Sequence, residues 1–164
     1  MPSFPNPDFE TDGSCGTADG HSNPAGWCTE WANGNVDSWS IAQASDSAVH
    51  GTSGMTLTFG ACQTSPCSGS YPGIYVLSDQ ATGVESGGWA LVRIFGSYDG
   101  SDNAGGLDFI DSDTNNIDSY NMITSSLPIE YLLLGPVSST NLKLRLQISS
   151  PTQNNTHARF DWIR

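Results

Sequence analysis

The sequence predicts an all-β protein, a jelly-roll β-sandwich of two antiparallel sheets with eight to ten strands. Gly, Ser, Thr and Asn are abundant, with 18 Gly and 9 Pro in 164 residues, whereas strong helix formers are scarce. Short runs of alternating apolar and polar side chains recur, separated by Gly, Pro, Asn and Asp clusters. No run combines helical periodicity with capping residues. A series of short strands with such turns is typical of a sandwich or jelly roll.

The strands differ in how clearly the sequence marks them. Residues 55–59 and 142–148 alternate strictly between apolar and polar side chains, as half-buried strands do. Residues 89–95 form the strongest strand in the middle of the chain. Residues 129–134 are nearly all apolar, so we expect this strand to be buried on both faces or to lie inside a sheet. Shorter strands are predicted at 8–10, 39–41, 71–77, 107–110 and 159–164, with loops at 11–35 and 111–121.

Length and charge limit the domain organisation and the partners. The chain suits a single jelly-roll domain, 1–164, in which residues 1–7, with three prolines, form an extended N-terminal arm. Five basic against 17 acidic residues give a net charge of −12. So few Lys and Arg exclude a nucleic-acid footprint and attraction to an anionic membrane. No apolar run reaches the roughly 20 residues that span a bilayer, so we expect no membrane insertion.

The cysteines bear on the compartment. There are four, at Cys15, Cys28, Cys62 and Cys67. An even number in such a β chain favours disulfides, and therefore an extracellular or cell-surface location. Pairing the first with the second and the third with the fourth closes two short loops and is the connectivity we favour. A zinc site with His21 or His50 and free thiols are the alternatives, and the spacing lacks the Cys-x-x-Cys pairs of structural zinc sites. The start of the chain lacks the basic and apolar segments of a leader, so we expect either that a leader has been removed or that export uses another route.

Four motifs stand in a recognisable order along the chain. They are Asn6-Pro7-Asp8-Phe9-Glu10, Gly26-Trp27, His50-Gly51-x-x-Gly54-Met55-Thr56-Leu57 and Phe160-Asp161-Trp162-Ile163. The ordered set resembles the carbohydrate-binding modules with a galactose-binding-domain-like jelly-roll fold, especially those attached to xylanases and laminarinases. The resemblance covers nearly the whole chain, although the cysteine-bearing loops are not part of the shared pattern. It implies recognition of a polysaccharide or other glycan and a parent glycoside hydrolase as a partner.

The same resemblance implies a structural calcium ion where the first and last strands meet. Calcium prefers oxygen ligands, and carboxylates supply them. Asp8 and Glu10 are two residues apart, so their side chains share a face if this segment is a strand. Asp161 joins them if the two end strands lie side by side. The alternative is that these are three solvated surface acids.

Strand parity suggests where a glycan would bind. Lys143, Arg145 and Gln147 alternate with core leucines and therefore share the opposite face of their strand. In residues 89–95 the same parity turns Trp89 and Arg93 outward. We expect these two faces to form one concave surface, with an aromatic platform for sugar rings and polar groups for their hydroxyls.

Two further features refine this cleft. Tyr75 or Tyr98 would extend the aromatic surface. Because most of the few basic residues lie on these two strands, a carboxylated sugar such as a uronic acid is one candidate ligand. The alternative is that the two arginines form internal ion pairs with nearby acids such as Asp108 or Asp111.

Three functions fit these observations, and a non-catalytic carbohydrate-binding module is the leading hypothesis. A structural subunit of an extracellular filament, appendage or capsid, which would self-assemble, is the first alternative. A small jelly-roll polysaccharide lyase is the second. Catalysis is disfavoured because His21, His50 and His157 fall in or next to predicted loops. The four glutamates also show no pairing of the kind that glycosidases need.

Overall fold

The computed structural model describes residues 3–11, 13, 24–33, 36–62, 73–112 and 115–164. Within them there are ten strands and one short 3-10 turn at Ser45–Ser47. The strands are β1 (Trp27–Asn33), β2 (Val36–Ala44), β3 (Gly54–Cys62), β4 (Gly73–Ser78), β5 (Trp89–Tyr98), β6 (Gly105–Ser112), β7 (Asn115–Asn121), β8 (Ile129–Pro136), β9 (Lys143–Ser149) and β10 (Thr156–Asp161). None of the described segments is a helix with the length and apolarity needed to cross a membrane.

The strands form two antiparallel sheets of five. Sheet A has the order β1-β4-β9-β6-β7, and sheet B has the order β2-β3-β10-β5-β8. Strands distant in sequence are neighbours in both sheets, as a jelly roll requires. The all-β sandwich expected from the sequence is therefore confirmed.

One apolar core lies between the two sheets. Leu107, Leu144 and Leu146 of sheet A are fully buried in the same cluster as Leu57 and Phe160 of sheet B. Because side chains alternate along each strand, the residues between these core positions point away from the partner sheet. The outer faces of sheets A and B therefore lie on opposite sides of the molecule.

The N-terminal segment differs from the expectation. Residues 8–10 are not a strand, because Asn6 and Phe9 have φ angles of 40° and 54°, which turn the chain. The Phe9 N–H donates to the Asn6 carbonyl at 3.0 Å, closing that turn. Phe4 is buried in the core, and Ser3 pairs with Thr82. Residues 3–7 thus pack on the body of the domain, and the prediction of an extended arm is wrong for them; residues 1–2 lie outside the described chain.

Three other elements depart from the sequence-based expectation. β1 lies within the predicted loop 11–35, and β7 lies within the predicted loop 111–121. β7 is polar because it is an edge strand, and its described outward side chains face water. The apolar strand β8 also lies at a sheet edge rather than inside a sheet, and Leu132 and Leu134 are 47% and 53% exposed.

Asp102 joins two loops at one end of the sandwich. Its carboxylate accepts hydrogen bonds from the Tyr98 hydroxyl at 2.7 Å and from the backbone N–H and hydroxyl of Thr152 at 2.5 and 2.9 Å. Burial raises the pKa of Asp102, but these hydrogen bonds outweigh burial and hold the pKa below its usual value of 3.8. The ionised form is therefore favoured in the folded protein.

We predict that Asp102→Asn lowers the free energy of unfolding by about 1–3 kcal/mol at pH 7, because the hydroxyl of the buried Tyr98 loses a charged acceptor. Since the folded-state pKa is lowered, this stabilisation is present above about pH 4 and is lost as the pH falls through the folded-state value. Urea denaturation at pH 7 and pH 3 measures it, with the exposed Glu85→Gln as the control. An equal difference between Asp102→Asn and wild type at both pH values would contradict this account.

Candidate functional site

The outer face of sheet A carries a row of polar side chains. Tyr75 of β4 is the register partner of Gln147 of β9, and Gln147 is the partner of Gly106 of β6. Two residues before Gln147 on β9, Arg145 is the register partner of Asp108 of β6. We call this surface, with Lys143, the sheet A face.

An ion pair holds the centre of the sheet A face. The Nε and Nη2 atoms of Arg145 donate to Oδ2 of Asp108 at 2.8 and 2.6 Å. The Arg145 side chain is 26% exposed and that of Asp108 only 7%. The Arg145 guanidinium also lies 5.9 Å from the centre of the Tyr75 ring. The pairing with Asp108 that the sequence left as an alternative is therefore present.

Gly106 makes room for a second polar group on this face. A Cβ atom at Gly106 would lie 2.8 Å from the Gln147 side-chain nitrogen, so only glycine lets that amide lie across β6. Asn116 of β7 adds an amide that donates to Oδ1 of Asp108 at 3.5 Å. Sequence reasoning did not select Gly106 or Asn116. The Gly105-Gly106 doublet inside a strand was the available signal, since glycine in a strand often marks close approach of another group.

The two candidate tyrosines have different positions. Tyr75 belongs to the sheet A face, but it is only 4% exposed, and its hydroxyl lies 2.5 Å from the Ser149 hydroxyl. A sugar ring therefore cannot stack on Tyr75 as the sequence predicted. Tyr98 is fully buried in the core, and burial raises the pKa of its hydroxyl far above the usual value. Its predicted role in extending the cleft is wrong, because a ligand cannot reach the ring.

Trp89 and Arg93 lie on the other sheet. Both belong to β5 of sheet B and point outward, with Trp89 72% exposed. Arg93 pairs with Glu130 of β8, its Nε donating to Oε1 at 2.6 Å. The parity predicted for both strands is correct, but the prediction that they form one surface with Arg145 is wrong. The core between the sheets separates the two faces.

Two of the three predicted calcium ligands, Asp161 and Glu10, accept hydrogen bonds from one loop. Oδ2 of Asp161 accepts the backbone N–H groups of Val49 and His50 at 2.5 and 2.7 Å. Oε1 of Glu10 accepts those of Thr52 and Ser53 at 2.5 and 2.9 Å. The end of the chain and the N-terminal segment thus anchor opposite halves of the loop between the 3-10 turn and β3.

The pKa values of these two carboxyls shift in opposite directions. Burial raises the pKa of Asp161, although the N–H donors oppose this effect. Hydrogen bonds from the Thr52 hydroxyl and the backbone of Ser53 and Thr52 hold the pKa of Glu10 below its usual value. The Glu10 shift thus follows from its loop contacts, whereas the Asp161 shift follows from burial.

The described residues do not gather the three predicted calcium ligands into one metal-binding cluster. Among the described residues, no group of three or more His, Cys, Asp and Glu side chains is placed to hold a metal. Asp8 lines a neighbouring groove of about 530 Å³ with His50, Trp162 and Arg164. Calcium at Asp8, Glu10 and Asp161 therefore stays a prediction from the sequence, which chelation can test.

The cysteine prediction falls mostly outside the described chain. Cys28 of β1 is not a free thiol. Cys15, Cys67 and His21, and the side chain of Cys62, lie outside the described residues. The pairing of the first cysteine with the second and of the third with the fourth stays a prediction.

Comparisons with known proteins extend the description of the fold. No protein-family model and no curated protein matches the sequence. Solved structures do match: the carbohydrate-binding module TmCBM61, in complex with β-1,4-galactotriose, has a TM-score of 0.58 at 12% identity, with 99% of this chain and 96% of that chain covered. The chain has the jelly-roll fold of carbohydrate-binding modules. At this identity the similarity shows the fold alone.

Two further structures share this jelly-roll fold. One is the Clostridium thermocellum endo-1,4-β-D-xylanase 10B, whose CBM22-1 and GH10 modules are complexed with xylohexaose. Its TM-score is 0.52 at 16% identity, and the match covers 84% of this chain and 25% of that chain. The other is the K2 cleaved adhesin domain of Lys-gingipain, with a TM-score of 0.56 at 14% identity. That match covers 99% of this chain and 96% of that chain. The fold thus occurs both as a single module and beside a catalytic module.

We predict that Asp161→Asn lowers the melting temperature by the same amount with EDTA and with calcium, because the carboxylate binds the loop N–H groups directly. Differential scanning calorimetry measures both conditions. Asp79→Asn, an exposed aspartate in the loop after β4, is the control. A fall in melting temperature that occurs only in the calcium buffer would contradict direct binding of the loop by Asp161. It would support the calcium site predicted from the sequence.

We predict that Arg145→Ala lowers the free energy of unfolding by about 3 kcal/mol, because it leaves the nearly buried Asp108 carboxylate without its charged partner. Arg93→Ala breaks an exposed pair and should change this free energy by less than about 1 kcal/mol. Urea denaturation compares the two variants. Equal losses would show that the Arg145–Asp108 pair is no more important than a surface pair.

Proposed function

We propose that the protein is a non-catalytic carbohydrate-binding module and that the sheet A face is its glycan site. The observation that supports this site most directly is the Arg145–Asp108 pair, which holds a partly exposed guanidinium on the same face as Gln147. Donors and acceptors fixed in advance bind sugar hydroxyls without the entropy of ordering them. The jelly-roll fold agrees with this function.

The charges on the sheet A face favour a neutral glycan over a carboxylated one. The positive charge of Arg145 is balanced by Asp108 at 2.6 Å. The protein as a whole carries a net charge of −12, which repels a polyanion such as a polyuronate. What the face offers is therefore hydrogen bonding to hydroxyl groups, with Lys143 at one end and Gln147 at the other.

The setting that we propose follows from the sequence and the fold together. Cysteine usage favours an extracellular or cell-surface location, with disulfides in the two short loops. A parent glycoside hydrolase is the partner that fits a non-catalytic module, which would hold the enzyme on its polysaccharide. The xylanase with the same fold is one example of a module joined to a catalytic module.

A titration with soluble oligosaccharides tests the site. We expect Gln147→Ala to weaken binding of the best neutral oligosaccharide at least tenfold with an unchanged melting temperature, because the side chain supports no core contact. Trp89→Ala, on the opposite sheet, is the matched control and should bind as wild type does. Isothermal titration calorimetry gives the affinity per chain.

Two results would contradict the proposal. Loss of binding in Trp89→Ala with full binding in Gln147→Ala would move the glycan site to sheet B. Preference for an oligouronate over every neutral oligosaccharide would show that the balanced charge of Arg145 does not decide the ligand class.

A further inference from the structure

The outer face of sheet B carries an apolar surface where β5 and β8 pair. Trp89 and Leu91 of β5 are 72% and 54% exposed, and Leu132 and Leu134 of β8 are 47% and 53% exposed. Leu91 is the register partner of Leu134, and Trp89 is the partner of the exposed Pro136. We call these five side chains the β5–β8 patch.

The β5–β8 patch is a regular feature of the two strands. The residues between its members, such as Val92 and Leu133, are buried in the core. The outward positions thus hold apolar side chains where a solvent-facing sheet normally holds polar ones. Single exposed leucines are common, but this contiguous patch of roughly 500 Å² is as large as those that mark interaction sites on monomeric proteins.

The chemistry of the patch fits protein better than sugar. A glycan site needs polar groups placed for hydroxyls, and three of the five patch residues are leucines. The charged groups beside the patch are Arg93 and Glu130, which already pair at 2.6 Å. Aliphatic side chains pack best against other aliphatic side chains that are removed from water with them.

The geometry favours contact through the face rather than through the strand edge. β8 ends the sheet, but its outer edge is covered by β7: the Leu134 N–H donates to Oδ2 of Asp118 at 3.0 Å. A Cβ atom at Gly135 would collide with Ile117 of β7, which shows how closely the two strands lie. Addition of a further strand at this edge is therefore blocked, and the exposed side chains remain as the contact surface.

We propose that the β5–β8 patch is the interface of a homodimer, formed with a second copy of this chain. Two patches packed face to face would bury about 1,000 Å² in total, which reaches the lower limit of specific interfaces. In a two-fold pair each patch meets itself, so its charges must complement themselves. Arg93 and Glu130 meet this requirement, since they already neutralise one another within each copy.

The net charge sets the salt dependence of this dimer. Each copy carries −12, so the copies repel one another at low ionic strength. Salt screens this repulsion, whereas the apolar contact is not weakened by it. Dimerisation should therefore become stronger as the salt concentration rises, which is the reverse of an interface held by ion pairs between oppositely charged partners.

Sedimentation velocity of the wild-type chain from 1 to 500 µM, in 20 mM and 500 mM NaCl, tests the proposal. We expect a monomer–dimer equilibrium that is stronger in high salt. Leu134→Lys should weaken the dimer at least tenfold, although it lowers the net negative charge and so reduces the general repulsion. Leu127→Lys is the matched control: Leu127 is 72% exposed but lies in the loop before β8, and the same charge change there should leave the dimer intact.

Two outcomes overturn the proposal. A wild-type chain that stays monomeric at every concentration in both salts excludes the homodimer and leaves the patch to a different protein domain. Equal weakening by Leu134→Lys and Leu127→Lys shows that the association does not use the patch. Melting curves of both variants establish that they are folded, and neither outcome bears on glycan binding, which is measured on the opposite sheet.

Discussion

The core shared by the two sheets is the constraint on which the rest of the structure depends. Leu144, Leu146 and their counterparts in sheet B fill the space between the sheets, so each strand can present only its alternate residues to solvent. This alternation creates two outer faces and also keeps them apart. Every residue that contacts a ligand or partner through a sheet must belong to one face or the other. The polar sheet A face and the apolar β5–β8 patch are therefore separate surfaces with separate chemistry.

The loop between the 3-10 turn and β3 shows how the chain ends complete the sandwich. Asp161 and Glu10 each bind backbone N–H groups of this loop, so the last strand and the N-terminal segment hold it from two sides. Trp162 then stacks on His50 with ring centres 5.7 Å apart. Asp161 and Glu10, two of the three carboxylates that the resemblance assigned to calcium, thus have a structural role as acceptors for this loop. The loop lies between β2 and β3, which are neighbours in sheet B, so fixing it stabilises the connection between these two strands.

Local sequence patterns predicted the fold class and the orientation of side chains within single strands. Lys143, Arg145 and Gln147 point outward as their alternation with leucine requires, and Trp89 and Arg93 are exposed as expected. The patterns could not show which strands are neighbours, because pairing in a jelly roll joins residues far apart in sequence. For this reason the two arginines were expected on one surface and lie on opposite ones. The sequence patterns also do not reveal polar edge strands such as β7, because such a strand lacks the alternation of apolar and polar residues that marks the other strands.

The central claim is that glycan binds on the sheet A face and not on the face that carries Trp89. Titration of the ¹⁵N-labelled protein with the best-binding oligosaccharide, followed by two-dimensional NMR, tests it directly. The account predicts that the shifted signals come from β9, β6 and β4, with the Gln147 side-chain amide and the Gly106 backbone amide among them, while the Trp89 indole N–H stays unchanged. Shifts that are confined to β5 and β8 and include the Trp89 indole would contradict it.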